Sequence, residues 1–211
     1  MSDTPSSAWA TRTPLIAILR GIEPAEAIAQ ADALLEAGID CIEVPTNSPQ
    51  WQRSVEAIAR HAGSRALVGA GTVWRDDQLQ ELVAAGGRLM VTPHTDPALV
   101  ARAREQGLVT VIGCTTATEA FAALRAGAQV LKVFPASSLG PAHIGALRSV
   151  LPSGTSLFAV GGVRPDNLAN FLRAGCVGVG AGSDLYLPGQ TPRQTADKAR
   201  MFLDALTAAQ G

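Results

Sequence analysis

The chain carries almost no net charge: 17 lysines and arginines face 18 aspartates and glutamates, a formal charge of −1, and no basic stripe breaks that balance. Nucleic acid and anionic membrane surfaces are therefore not expected partners. Cysteine is scarce too. Cys41, Cys114 and Cys176 are odd in number and each falls in a predicted strand, so a reducing, cytoplasmic setting is expected. No apolar run is long enough to cross a bilayer, and residues 1–13 are polar, without the apolar segment of a signal peptide. His61, His94 and His143 show neither HxH nor HExxH spacing, so no metal is expected; only His94 falls near the predicted active end. No GxGxxG fingerprint follows the first strand, which counts against a dinucleotide-binding fold and leaves no cofactor expected.

What is present is apolar and periodic. Hydrophobic residues make up 47% of 211, enough for one substantial core, and one domain over residues 1–211 is expected. Residues 1–13 form an N-terminal extension, with room for a short helical turn over Ala8–Arg12. From Pro14 onward an apolar strand, a helical stretch and a glycine stop repeat, with stops at Gly38, Gly63, Gly86, Gly107, Gly127 and Gly175. Helix starts are read at Pro24, Ser48-Pro49, Asp76, Asp96-Pro97, Thr116, Pro141, Pro165 and Thr191-Pro192. Thr116 and Glu119 have capping-box spacing. Eight strands alternating with helices favour an α/β fold of the single-domain (β/α)8 TIM-barrel kind, although a doubly wound sheet alternates as well.

The stretch that points to chemistry is Val130-Leu131-Lys132-Val133-Phe134-Pro135, an apolar strand with one lysine inside it. Lysine is rarely buried unless paired or used. A period of two sets Lys132 on the face of Phe134, opposite Leu131 and Val133. Apolar surroundings disfavour the ammonium, and a free amine can attack a ketone to form a Schiff base. The other reading is an edge strand with Lys132 in water.

The remaining polar residues favour the first reading. Arg20, Glu43, Thr72, Thr92-Pro93, Lys132, Gly161-Gly162 and Gly182-Ser183 all fall at predicted strand ends, the carboxyl side where barrels build active sites. Glu43, between Ile42 and Val44-Pro45, is a candidate general acid/base with a raised pKa, or else a structural ion-pair partner, of Arg20 for instance. Gly161-Gly162 and Gly182-Ser183 follow the seventh and eighth strands, where backbone amides and a helix start bind phosphate in barrels. A lysine and a phosphate site in one cavity point to a phosphorylated keto-sugar substrate.

These residues carry a resemblance. Leu19-Arg20-Gly21, Ile42-Glu43-Val44, Gly69-Ala70-Gly71-Thr72, Lys132-Val133-Phe134-Pro135, Gly161-Gly162-Val163 and Gly182-Ser183, in that order, resemble the class I 2-keto-3-deoxy-6-phosphogluconate/galactonate aldolase family from about Pro14 to Leu206. The resemblance implies a metal-independent, homotrimeric lyase with a phosphorylated keto-acid substrate. It makes Lys132 the Schiff-base lysine and Glu43 the acid/base. It sets Arg20 and Thr72 on the pyruvate-derived end with Pro93 and Phe134 around them, and Gly161, Gly162, Gly182 and Ser183 on the phosphate. Two positions depart from the gluconate-type branch, which typically has arginine four residues after the glutamate and threonine before the paired glycines. Here they are Asn47 and Val160, as in the galactonate-type branch. Alternatives are the gluconate epimer, dual specificity, an unphosphorylated keto acid, a metal-dependent phosphosugar epimerase, or a non-catalytic phosphosugar-binding barrel.

Overall fold

A computed structural model describes residues 12–210. Of the expected N-terminal turn over Ala8–Arg12, all but Arg12 lies outside the described residues; Arg12 sits in a bend and pairs with Asp40 at 2.9 Å.

Eight strands form a closed barrel in sequence order, each parallel to the next: β1 (Leu15–Ile18), β2 (Cys41–Pro45), β3 (Leu67–Gly71), β4 (Leu89–Val91), β5 (Val109–Cys114), β6 (Val130–Val133), β7 (Leu157–Val160) and β8 (Gly178–Ala181). Closure comes from β8 pairing with β1, with Ile16 opposite Gly180. The helices α1 (Ala27–Ala37), α2 (Trp51–Ala62), α3 (Asp76–Ala84), α4 (Pro97–Glu105), α5 (Ala117–Arg125), α6 (Ala136–Val150), α7 (Leu168–Arg173) and α8 (Pro192–Gln210) alternate with them. The sequence pattern therefore resolves to the (β/α)8 barrel rather than the doubly wound sheet.

Strand alternation divides the core into two layers. Ile16, Ile18, Cys41, Leu67, Leu89, Val91, Val111, Val130, Phe158 and Val160 fill the barrel interior. Leu15, Ala17, Ile42, Val44, Val68, Ala70, Leu131 and Val133 pack outward with helix residues such as Leu34, Ile58, Leu79 and Phe202. Full burial of each large aliphatic side chain contributes about 1.5–3 kcal/mol. The glycines of β8 make room for the interior: a Cβ at Gly178 would meet the Phe158 ring at 2.4 Å, and one at Gly180 would meet Val160 Cγ2 at 2.9 Å.

Most helix boundaries follow local chemistry. The six glycine stops all have positive φ, between 56° and 107°, a region L side chains avoid. Thr116 and Glu119 form the expected capping box, and the Asp96 side chain accepts from the Ala98 and Leu99 amides.

Five boundaries differ from the sequence reading. The helix expected from Pro24 begins only at Ala27, after a turn over residues 24–26 in which the Glu26 amide donates to the Glu23 carbonyl. Ser48 does not cap α2; its hydroxyl accepts from the Gly21 amide at 2.9 Å, and Gln50, at φ 42°, precedes the helix instead. The helix expected from Pro141 begins at Ala136 and is broken at Gly140 (φ 77°, ψ 165°), so Pro141 opens its second segment. The helix expected from Pro165 begins only at Leu168, because the Asn167 side chain accepts from the Arg164 amide and donates to the Gly162 carbonyl. Cys176 lies in the connection before β8, not in a strand, and is buried there.

Candidate active site

At the carboxyl ends of the strands lies a cavity of about 390 Å³. Its wall contains every residue selected from the sequence: Arg20, Glu43, Thr72, Pro93, Lys132, Phe134, Val160, Gly161, Gly162, Gly182 and Ser183. Ile18, Val163 and Asp184 complete it. Ile18 was missed in the sequence, although period two could have found it, since Ile16 and Ile18 share one face of β1. No sequence signal separated Asp184 from an ordinary turn aspartate.

Lys132 and Glu43 occupy inward positions directly above interior hydrophobics, Lys132 two residues beyond Val130 and Glu43 two beyond Cys41. Lys132 is opposite Gly113 on one side and Phe158 on the other; Glu43 is opposite Ile18 and Gly69. Both are buried, at 5% and 2% exposure. The edge-strand alternative for Lys132 is therefore overturned, because a closed barrel has no edge.

These two groups do not neutralise each other by contact. Among the described residues no ion pair includes Lys132 or Glu43, and Glu43 Oε2 is buried without a hydrogen-bond partner. Nor does Arg20 pair with Glu43; its guanidinium donates to Asn47 Oδ1 at 2.6 Å. The ion-pair reading of Glu43 falls with that observation. Burial pushes the Glu43 carboxyl up from its usual range, against the opposing pull of Lys132 and Arg20. Burial pushes Lys132 down, against the opposing pull of Glu43, and Arg20 lowers it further. Lys132 Nζ also lies 5.0 Å from the centre of the Phe134 ring.

The seat of Glu43 is Gly71, which the sequence motif contained without revealing its use. A Cβ on Gly71 would fall 2.2 Å from Glu43 Oε1. The Gly71 backbone is not left-handed, so alanine is excluded by the carboxyl group and not by its conformation. Gly71→Ala is expected to keep the fold, read by circular dichroism, while displacing the carboxyl group. Turnover should fall by about 10²-fold, the lower end of what a positioned acid/base contributes. Unchanged kcat would show that this seat is dispensable.

The rim is fixed by short polar contacts. Thr92 Oγ1 accepts from the Gly113 amide at 3.0 Å and donates to the His94 carbonyl at 2.6 Å, which holds Pro93 between them. His94, although near the active end, does not line the cavity. Thr72 has a left-handed backbone, φ 58°, and its carbonyl accepts from Thr46 Oγ1 at 2.8 Å. Non-glycine residues in that region cost about 1–3 kcal/mol and concentrate at functional sites.

On the opposite wall the Gly161 and Gly162 backbones are also left-handed, and the Phe134 ring lies against Gly161. A Cβ on Gly182 would meet nothing within 4 Å, so that glycine leaves open space. Among the described residues, the amides of Gly162, Gly182 and Ser183 have no protein acceptor. The expected helix start is not beside Gly162, since α7 begins at Leu168. An anion there would meet loop amides rather than the N-terminus of α7.

No group of three or more His, Cys, Asp or Glu side chains among the described residues is placed to hold a metal ion. The arrangement offers a poorly solvated amine, an unpaired carboxyl group, one guanidinium and a cluster of free amides around one cavity.

Comparison with known proteins points to one family. The model of the family described as "KDPG and KHG aldolase" matches residues 7–200. The chain is 52% identical to the 2-dehydro-3-deoxy-6-phosphogalactonate aldolase of Escherichia coli K12, over 93% of this chain and 96% of the relative. It is 32% identical to the 2-dehydro-3-deoxy-phosphogluconate aldolase of Treponema pallidum, over 70% of each. A solved structure described as native KDPGal superposes with a TM-score of 0.94 at 51% identity, covering 96% of this chain and 98% of the other.

Proposed function

The chain belongs to the KDPG and KHG aldolase family, and from that premise we propose that it reversibly cleaves 2-dehydro-3-deoxy-6-phospho-D-galactonate to pyruvate and D-glyceraldehyde 3-phosphate. Lys132 Nζ attacks the C2 ketone, and loss of water leaves a protonated imine joined to the lysine. The C4 hydroxyl gives its proton to Glu43, directly or through a water, as the C3–C4 bond breaks. The bonding pair moves into the imine and forms an enamine, while C4 leaves as the aldehyde carbon of glyceraldehyde 3-phosphate. Glu43 returns the proton to C3, and hydrolysis of the resulting imine releases pyruvate and restores the amine.

Arg20 and Thr72 hold the carboxylate end, with Pro93 and Phe134 packed around the reacting carbons. The amides around Gly161, Gly162, Gly182 and Ser183 take the phosphate. Val160 faces the sugar between the two ends. The observation that carries this reading is the presence of two buried groups, Lys132 and Glu43, in one cavity with no ion pair between them. A structural lysine–glutamate pair would be in contact, since a buried charge left without a partner costs several kcal/mol.

The galactonate epimer is favoured because the relative named for it is much closer than the one named for gluconate. Asn47 and Val160 agree with that choice. The substrates differ in configuration at C4, so the test is kcat/KM for each, read by coupled pyruvate detection. The galactonate epimer should lead by about 10–100-fold, the discrimination that small steric differences support. Equal values would establish dual specificity and overturn the epimer assignment.

Incubation with pyruvate and borohydride tests the chemistry itself. A reduced pyruvate adduct on Lys132 is expected, with chelators leaving the reaction intact. No adduct in folded protein would turn the reading toward a non-catalytic phosphosugar-binding barrel. We also infer a reducing, cytoplasmic setting, supported by three buried cysteines that are all free. No helix among the described residues is long and apolar enough to cross a membrane. The inferred assembly is a homotrimer of single-domain chains, in keeping with the family resemblance, and sedimentation equilibrium reads it directly.

A further inference from the structure

Asn47 does not line the cavity. It nevertheless reaches the site through another residue. Asn47 belongs to the loop between β2 and α2, three residues of which bridge to the neighbouring strand ends. Asn47 Oδ1 accepts from Arg20 Nη1 at 2.6 Å. Ser48 Oγ accepts from the Gly21 amide at 2.9 Å, fixing the turn that carries Arg20. On the other side Thr46 Oγ1 donates to the Thr72 carbonyl at 2.8 Å, and the Thr46 amide donates to the Gly71 carbonyl at 2.8 Å.

One short loop thus braces Arg20 to its left and Thr72 to its right. Arg20 is exposed and belongs to no ion pair among the described residues. A long side chain in that position samples many rotamers, and binding through it requires that freedom to be given up. The Asn47 bond restricts it beforehand. A guanidinium has five N–H donors, so the bond through Nη1 leaves a fork free for a carboxylate. The acceptor is neutral. An aspartate at the same position would orient the guanidinium equally well but would cancel its charge; an amide oxygen orients it and leaves the charge available.

We propose that Asn47 is a positioning residue for the carboxylate end of the substrate, acting through the guanidinium of Arg20. This rests on the reading that Arg20 holds the pyruvate-derived carboxylate. Asn47 is exposed, so its removal leaves the barrel intact.

The test runs in the condensation direction, with pyruvate varied against saturating glyceraldehyde 3-phosphate. Asn47→Ala should raise KM for pyruvate about tenfold, as expected for loss of a hydrogen bond to a charged group. Its kcat and its KM for the aldehyde should stay within about twofold of the parent, the pattern of lost uniform binding. The double variant Asn47→Ala/Arg20→Ala should bind pyruvate no more weakly than Arg20→Ala alone. A general loosening of the loop would instead add to the Arg20→Ala effect, and additive losses overturn the proposal. So does an Asn47→Ala protein whose pyruvate dependence matches the parent. Borohydride trapping on the parent protein keeps the two readings apart. No pyruvate adduct on Lys132 refutes the aldolase assignment, whereas an adduct with unchanged pyruvate dependence in Asn47→Ala refutes only the role of Asn47.

Discussion

Lys132→Ala should lose roughly 10⁵-fold or more of turnover, the scale seen when an enzyme loses its covalent nucleophile. The same variant should show no borohydride-trapped pyruvate adduct by intact mass. Folding is not at stake, because the lysine is buried among apolar groups and its burial already opposes its charge. Lys132→Met, with a similar apolar stem, should melt at or above the parent temperature, as is common where activity requires a destabilising group. Residual turnover within a hundredfold of the parent would remove the Schiff base from the mechanism.

The pH dependence follows from the direction of the lysine's shift. Burial lowers the pKa of Lys132, so the unprotonated amine persists at pH values where a solvated lysine is almost wholly ammonium. Initial rates of adduct formation should therefore hold up below the usual lysine range. They should then fall as pH drops through the lowered pKa and the amine takes up a proton. Adduct formation that disappears as soon as pH falls below the range of a solvated lysine would contradict this.

Glu43→Gln separates the two steps. The glutamine retains size and polarity but cannot exchange a proton, so turnover should fall by about 10²–10⁴-fold, the usual contribution of a general acid/base. The adduct should still form, since Lys132 is untouched. Its acid limb should move to lower pH, because the Glu43 charge is what holds the Lys132 pKa up against burial. Loss of both adduct and turnover would mean that Glu43 supports the lysine rather than the carbon–carbon bond cleavage. An acid limb unmoved by the substitution would mean that the two groups do not sense each other across the cavity.

The two site groups were legible in the sequence for one reason: each breaks a pattern. Lys132 interrupts an apolar strand and Glu43 interrupts another, and period two puts each on the same face as its strand's interior hydrophobics. The glycine pairs were legible from their place after predicted strands. Ser48 misled because a serine before a proline is good helix-start chemistry, yet a hydroxyl can satisfy only so many partners. The Gly21 amide, 27 positions away in the chain, takes it. The Pro165 start failed for a related reason, the Asn167 side chain tying the Arg164 and Gly162 backbones into a turn before the helix.

By itself the sequence determined the alternation of strand and helix, the helix ends at positive-φ glycines, the faces of the strands and the set of residues at their carboxyl ends. All of these depend on side chains and backbone torsions within a few residues of one another, so local physics suffices. Tertiary structure alone decided that β8 closes on β1, that the Glu43 carboxyl rests over Gly71, that Lys132 and Glu43 remain apart, and that Asn47 holds Arg20. Each of those depends on register between strands joined through whole helices. A contact of that kind is specified by how the layers pack, and no single stretch of the chain contains both of its partners.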